Sequence, residues 1–347
     1  MSPANDATGS RILEVEGLKC YFPIERGFFR KKVGEVKAVD DVTFFVRAGE
    51  TLGLVGESGC GKTTLGRCIL RLYEPTGGTI TFRFAPEEPP IDVSHLDFGG
   101  MKPIRQNIQM VFQDPYSSLD PRMTVLDIIG EPLLYAGWKS QDITEKVKDL
   151  MSVVGLDIRH LNRYAHAFSG GQRQRIGVAR ALATNPKFIV ADEAVSALDV
   201  SVQAQIINLF QDLQRQFGLT YLFISHNLSV VRHISTRVMV MYVGSSVELA
   251  PKDELFHRPR HPYTEALLSA IPSPDPEVRR EKILMPGEVP NPAHPPPGCL
   301  FHPRCSYAID ACRTQKPRWE EAAPGNFIRC HRHAELELKG VAAGGRG

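Results

Sequence analysis

Apolar and charged positions alternate near the start of the chain. Leu13 and Val15 alternate with Glu14 and Glu16, which predicts a strand over residues 12–22. Residues 42–55 predict two more strands, broken at Ala48 and Gly49. The second, TLGLV at 51–55, is apolar and leads into a glycine-rich stretch. A helix is predicted over residues 63–72, stopped before Pro75. Residues 141–155 predict an amphipathic helix with Ile143, Val147, Leu150 and Val154 on one face and Gly155 closing it. Ser169 is placed to cap a helix that runs to Thr184, where Asn185 and Pro186 end it. A short apolar strand at 187–191, a helix at 202–217 ending at Gly218, a strand at 220–225 and a helix after Asn227 follow. Such alternation predicts an α/β fold with a mostly parallel sheet flanked by helices.

The pattern changes after residue 255. Nine prolines lie between Ile271 and Gly298, too many for regular helix or central strand, so this stretch reads as an extended linker or wrap. Flexible ends are expected at residues 1–10 and 340–347. No internal repeat is visible. Hydrophobic residues make up 42% of the 347 positions and charged residues 23%, enough for a sizeable core. The net charge of +2 gives no electrostatic argument for nucleic acid, and the basic cluster from Arg26 to Lys32 reads as a solvated loop. The N-terminus lacks the pattern of a signal peptide, and no window approaches the roughly 18 apolar residues of a membrane helix. The expectation is a chain that stays in the cytoplasm, where its seven cysteines argue against structural disulfides.

The strongest chemical signal is GESGCGKTT at 56–64. Gly56, Gly59 and Gly61 let backbone N–H groups turn toward a phosphate, with Glu57, Ser58 and Cys60 between them. Lys62 adds positive charge at the β- and γ-phosphates, Thr63 offers a hydroxyl to Mg²⁺, and Thr64 continues into the helix. Position at a helix start beside Lys62 also predicts a lowered thiol pKa for Cys60, and inhibition by thiol reagents that bound ATP prevents. Further on, the apolar run FIVA at 188–191 ends in Asp192 and Glu193. Asp192 suits Mg²⁺ held through water, and Glu193 suits orienting and deprotonating an attacking water.

Phe168 and Ser169-Gly170-Gly171-Gln172 resemble the signature motif of ABC transporter ATPases, and the motif stands between the phosphate loop and Asp192 as in that family. Gln113 in VFQDP resembles the Q-loop, SALD ending at Asp199 the D-loop, and His226 in FISHN the switch histidine. The resemblance covers residues 11 to about 250. It implies a P-loop ABC ATPase core over 11–255 with an antiparallel β part and a helical signature subdomain at about 114–180. It also implies head-to-tail dimers, in which ATP lies between one subunit's phosphate loop and the other's Ser169 and Gly171. Gln113 would reach Mg²⁺ and water, and His226 the γ-phosphate. Adenine would stack on Phe22, with Tyr21 as the alternative. Ala194 and Val195 stand where many relatives carry Pro and Thr, and Ala165 and Ala167 where close relatives often carry Pro and Glu.

Three stretches resemble a narrower group, the ATPase subunits of bacterial dipeptide and oligopeptide importers: the insertion after Phe22, QDPYSSLDPR at 113–122, and HPYTEAL at 261–267 with the cysteine tail. The insertion resembles the second of the two ATPases in such systems. The implied partners are a related ATPase forming a heterodimer, two membrane permeases and an extracytoplasmic binding protein, with this chain peripheral on the cytoplasmic face. Close relatives carry nickel, glutathione or sugars instead, and a soluble non-transport ABC ATPase is the remote alternative. Residues 256–347 would form the C-terminal extension. There Cys299, Cys305, Cys312 and Cys330 show the spacing C-x5-C-x6-C-x17-C, which suits either tetrahedral zinc or an iron–sulfur cluster. The importer resemblance favours [4Fe-4S], with a structural role. His302, His331 and His333 read as bystanders, and Cys20 and Cys68 as packing residues.

Overall fold

The computed structural model describes residues 9–28, 31–114, 118–271 and 282–341. Most of both expected flexible ends, part of the basic cluster and residues 272–281 of the proline-rich stretch lie outside them. The chain opens with β1 (Arg11–Arg26) and β2 (Lys31–Arg47) as neighbours in one sheet. Both extend beyond the lengths that the apolar pattern predicts. Residues 23–26 and 31–35 of this ribbon are mostly exposed, so no buried face imposes an apolar alternation there. Where β2 enters the core, Val39, Val42, Phe44 and Val46 are buried.

The chain continues through β3 (Thr51–Val55), α1 (Lys62–Ile69), β4 (Gly77–Phe82), β5 (Ile91–Asp92), α2 (Phe98–Asn107) and β6 (Ile108–Val111). Next come α3 (Val125–Tyr135), α4 (Ser140–Val153), α5 (Gly170–Leu182), β7 (Phe188–Asp192), α6 (Val200–Phe217), β8 (Thr220–Ile224) and α7 (Leu228–Ile234). The last part holds β9 (Arg237–Tyr242), β10 (Ser245–Pro251), α8 (Lys252–His257), α9 (Pro262–Ser269), α10 (Asp310–Thr314), β11 (Glu320–Ala323) and β12 (Asn326–Ile328). Local chemistry sets many of these ends. Thr124 and Asp127 form a capping box on α3, as Ser169 and Gln172 do on α5. Gly218 ends α6 in the left-handed region at φ 65°, which glycine adopts without a Cβ clash.

The elements gather into two compact units. One holds the described residues up to Glu14, with Phe45–Thr51 and Thr81–Ile224. Its strands β6, β7 and β8 pair in parallel, and α3, α4 and α5 pack on one another. The face predicted on α4 is the one that packs: Ile143, Val147 and Leu150 are buried, and so is Val154 at its end. Burying each such side chain contributes about 1.5–3 kcal/mol.

The other unit holds Val15–Phe44, Leu52–Ile80 and the described residues from Ser225 on. Its sheet runs in the order β11-β12-β10-β9-β3, with β3 parallel to β9 and the remaining pairs antiparallel. Residues after 255 thus lie in the same unit as the glycine-rich loop. The strands β3, β9 and β10 are buried almost throughout; β3 and β9 are mostly apolar, as covering both faces requires, while β10 buries Ser245, Ser246 and Glu248.

Candidate functional site

The expected site residues divide between the two units, and in the second of them the glycine-rich loop joins β3 to α1. Gly61 caps the helix at φ 102°, and a Cβ there would lie 2.1 Å from the Ala38 carbonyl oxygen, so only glycine fits. Lys62 is buried, and its Nζ donates to the carbonyl oxygens of Gly56 and Glu57, both at 2.9 Å. The ammonium group is therefore held over the loop beside the first N–H groups of α1. This is an arrangement suited to a phosphate. Ser58 and Gly59 are exposed, and Thr63 and Thr64 half-buried, on the first turn of α1.

Cys60 departs from its expected chemistry. Burial pushes its thiol pKa up, and the nearby Lys62, 3.7 Å from the sulfur, only partly offsets this. The side chain points into the core and not to solvent, so desolvation outweighs the helix-start position. Phe22 lies edge-on to Tyr73 with ring centroids 5.4 Å apart, while the Tyr21 hydroxyl donates to Asp40 at 2.5 Å. His226 is exposed on the turn before α7, next to the capping residue Asn227.

Two residues that sequence reasoning gave no role to reach the loop. The Glu57 N–H donates to the Tyr263 hydroxyl at 2.9 Å. The Glu57 carboxylate accepts from both terminal nitrogens of Arg304, at 2.7 and 3.2 Å. Tyr263 stood within HPYTEAL and Arg304 within the first cysteine interval, but neither position carries a local signal for contact with a distant loop.

In the first unit, Asp192 is buried at the end of β7 and Glu193 follows it at φ 47°. That left-handed conformation is uncommon for a residue with a side chain, and its cost is met by hydrogen bonds. The Glu193 N–H donates to Ile224 O at 2.9 Å, and its carbonyl accepts from Ser196 N and Oγ at 3.0 and 2.9 Å. The Glu193 carboxylate accepts from Gln113 Nε2 at 3.1 Å. The unit thus joins two of the expected catalytic residues, from the ends of β6 and β7. Ser169 and Gln172 are exposed and cap each other's backbone N–H groups, at 3.4 and 3.1 Å. A Cβ on Gly171 would lie 2.5 Å from Val202 Cγ1, so this glycine lets α5 and α6 approach. Asp199 caps α6 through Val202 N at 3.0 Å. Hydrogen bonds from Ser201 and Val202 hold its carboxyl below the usual range.

Cys299, Cys305, Cys312 and Cys330 line one small pocket. Burial, with the neighbouring cysteines adding to it, pushes Cys299 up to about 11 and Cys330 up to about 12. His302 and His331 also line it, each with one ring nitrogen committed to a backbone carbonyl, of Cys299 and of Gln315, both at 2.9 Å. Among the described residues, no group of three His, Cys, Asp or Glu side chains is arranged to hold a metal ion. The expected zinc or cluster is therefore not placed. Cys20 and Cys68 are buried, and the Cys20 Sγ donates to Glu74 O at 3.9 Å.

The pattern of the ABC transporter family matches residues 39–196, and that of the oligopeptide/dipeptide transporter C-terminal region matches residues 247–312. The chain is 54% identical over 335 residues to the oligopeptide transport ATP-binding protein AppF of Bacillus subtilis (strain 168), covering 95% of this chain and 99% of that one. It is 51% identical over 334 residues to the putative oligopeptide transport ATP-binding protein YkfD of the same organism, covering 94% and 97%. Among solved structures it is similar to a dimeric post-hydrolysis state of the ATP-binding cassette MJ0796 bound to ADP and Pi. There the TM-score is 0.60 and the identity 25%, over 70% of this chain and 99% of that one. Among the described residues, no helix is long and apolar enough to cross a membrane.

Proposed function

The chain belongs to the oligopeptide-transport ATP-binding proteins of the ABC transporter family, and we propose that it works as one half of a pair of unlike ATPases. It binds ATP and hydrolyses it to energise the import of di- and oligopeptides. In this reading the N–H groups of residues 56–64 and the Lys62 ammonium hold the β- and γ-phosphates. Thr63, Gln113 and Asp192 hold Mg²⁺, and Glu193 takes the proton of the attacking water. His226 contacts the γ-phosphate, and Phe22 stacks on adenine. Ser169, Gly170, Gly171 and Gln172 serve the partner's ATP, and Asp199 sits at the same junction. The exposure of Ser169 and Gln172 at the start of α5 supports that role.

The observation that carries the catalytic assignment is the 3.1 Å hydrogen bond from Gln113 to the Glu193 carboxylate, with Glu193 held at φ 47°. A strained backbone tied down on both sides aims the carboxylate away from the strand. The Gln113 amide gives the same site a hydrogen-bond donor, as the placing of a water requires. In the assembled importer, Glu193→Gln is expected to bind ATP normally and to hydrolyse it at least about a hundredfold more slowly, with peptide uptake lost. Hydrolysis within a few-fold of the unaltered protein would remove Glu193 from the chemistry.

Two permeases and an extracytoplasmic binding protein complete the proposed assembly, which places the chain peripherally on the cytoplasmic face. An apolar groove in the first unit supports a membrane partner. It is lined by Phe98, Lys102, Arg105, Gln109 and Tyr135, and Phe98 and Tyr135 are 77% and 78% exposed. Aromatic side chains this exposed, flanked by two cations, mark an interaction surface. The four late cysteines hold a [4Fe-4S] cluster in this proposal. Support comes from the four cysteines lining one pocket. Bound metal would keep these thiols deprotonated and tie together a segment with little apolar core.

A further inference from the structure

We propose that Arg304 and Tyr263, both from the C-terminal part of the chain, position the phosphate-binding loop, Arg304 by neutralising the Glu57 carboxylate at the mouth of that loop. The inference rests on residues 56–64 being the nucleotide loop. Glu57 is held at three points. Its N–H donates to the Tyr263 hydroxyl at 2.9 Å, its carbonyl accepts from Lys62 Nζ at 2.9 Å, and its carboxylate takes the two Arg304 nitrogens at 2.7 and 3.2 Å. A two-point pairing of guanidinium and carboxylate fixes orientation as well as distance.

The pair is sheltered: the Arg304 side chain is 7% exposed and that of Glu57 24%. Behind it the rings of Tyr242, Tyr263 and Phe301 touch one another, with centroids 4.6 to 5.4 Å apart. Arg304 Nη1 also reaches the Tyr242 hydroxyl at 3.4 Å. The guanidinium is set from its own side by the turn His302–Arg304, whose Arg304 N–H donates to Phe301 O at 3.0 Å just before Cys305. The Arg304–Glu57 pair thus links the cysteine segment to the phosphate loop at this point.

The electrostatic consequence is direct. A loop that takes a polyanion carries one acid, Glu57, whose charge opposes that of Lys62. Screening is weak in a sheltered site, so an unpaired Glu57 would repel the phosphates. Arg304 cancels that charge before nucleotide arrives. Its loss should act on ATP affinity, with a smaller effect on the chemical step.

The test uses the full-length chain in the assembled importer, with ATPase kinetics and binding of a fluorescent ATP analogue. Arg304→Ala is expected to raise KM for ATP roughly tenfold while kcat falls less than about twofold. Arg304→Lys keeps the charge without the fork and should recover part of the loss. Adding Glu57→Gln to Arg304→Ala should restore KM, because the repelling charge is gone; a merely structural arginine would not be rescued in this way. Tyr263→Phe removes one hydroxyl from an otherwise intact ring cluster and should raise KM by a smaller factor. An unchanged KM in Arg304→Ala overturns the proposal, as does an equal fall in kcat and kcat/KM that Glu57→Gln leaves uncorrected. Lys62→Ala is the control. If it binds ATP normally, the loop assignment fails and the inference with it; if it loses ATP while Arg304→Ala does not, the inference alone fails.

Discussion

Cys60 stands two residues before Lys62 at the start of a helix, where positive charge favours a thiolate, yet its side chain is 1% exposed. Burial penalises the charged form, and here it prevails. Cys60 is therefore expected to resist maleimide at pH 7.5 in the folded chain, even without nucleotide. Peptide mapping after timed labelling checks this, and rapid modification of Cys60 in a chain that keeps its fold would refute it. The same competition explains which residues could be read from the sequence. Gly61, Lys62, Asp192 and Glu193 stand within short strings whose order is their signal. The burial of Cys60 depends on what packs around it, and the pairing of Arg304 with Glu57 on where a distant turn comes to rest. No local pattern encodes either.

At the level of elements, β10 and the turn before α9 place two buried ionisable groups together. Glu248 accepts from the backbone N–H groups of Arg260 and His261 at 2.9 and 3.0 Å, yet burial pushes its carboxyl from the ordinary 4.5 up to about 7. Burial lowers His261 from 6.5 to about 3. The raised Glu248 stabilises the fold fully below pH 4.5 and loses that contribution as pH rises through about 7. The depressed His261 stabilises it above pH 6.5 and loses its contribution as pH falls toward 3. Between pH 4.5 and 6.5 the two slopes oppose each other, so this pair adds little net pH dependence in the unaltered chain. Glu248→Gln leaves His261 uncompensated, and stability should then fall by about 2 kcal/mol on going from pH 6.5 to 4.5. Urea unfolding across that range decides it, and a variant with no added acid sensitivity would show that His261 is not held neutral. Among elements, α4, α5 and α6, with one apolar face each, and β7 and β8, short apolar runs bounded by turn residues, fall within a few residues of their expected ends. The ribbon of β1 and β2 was read short because its outer part has no covered side. The hairpins β9–β10 and β11–β12 and the helices α2 and α3 were not singled out at all: β10 carries buried Ser245, Ser246 and Glu248, and β11 is the short, largely polar EEAA.

For the whole molecule, the branch of the family was legible from stretches far apart in the chain, and the relatives share it over 95% of its length. The content of the cysteine cavity was not, because spacing alone fits both zinc and a cluster. Purified without oxygen, the full chain is expected to carry iron and acid-labile sulfide in matching amounts, and Cys305→Ser to lose both together. Zinc would reduce the tail to a simpler metal staple, and no metal in a fresh anaerobic preparation would leave it to free thiols and packing. Arg304 lies within this segment, 247 positions after Glu57. That separation gives the protein a maturation schedule. At ordinary elongation rates Glu57 is made roughly 10–50 s before Arg304. Throughout that interval the growing chain already has its phosphate loop and acquires signature, glutamate and histidine in turn, yet it lacks the cation that quiets the loop. ATP capture would then come on late in synthesis. If Arg304 sets the loop's affinity as proposed, a chain that stops short of it is expected to bind ATP roughly tenfold more weakly than the full chain.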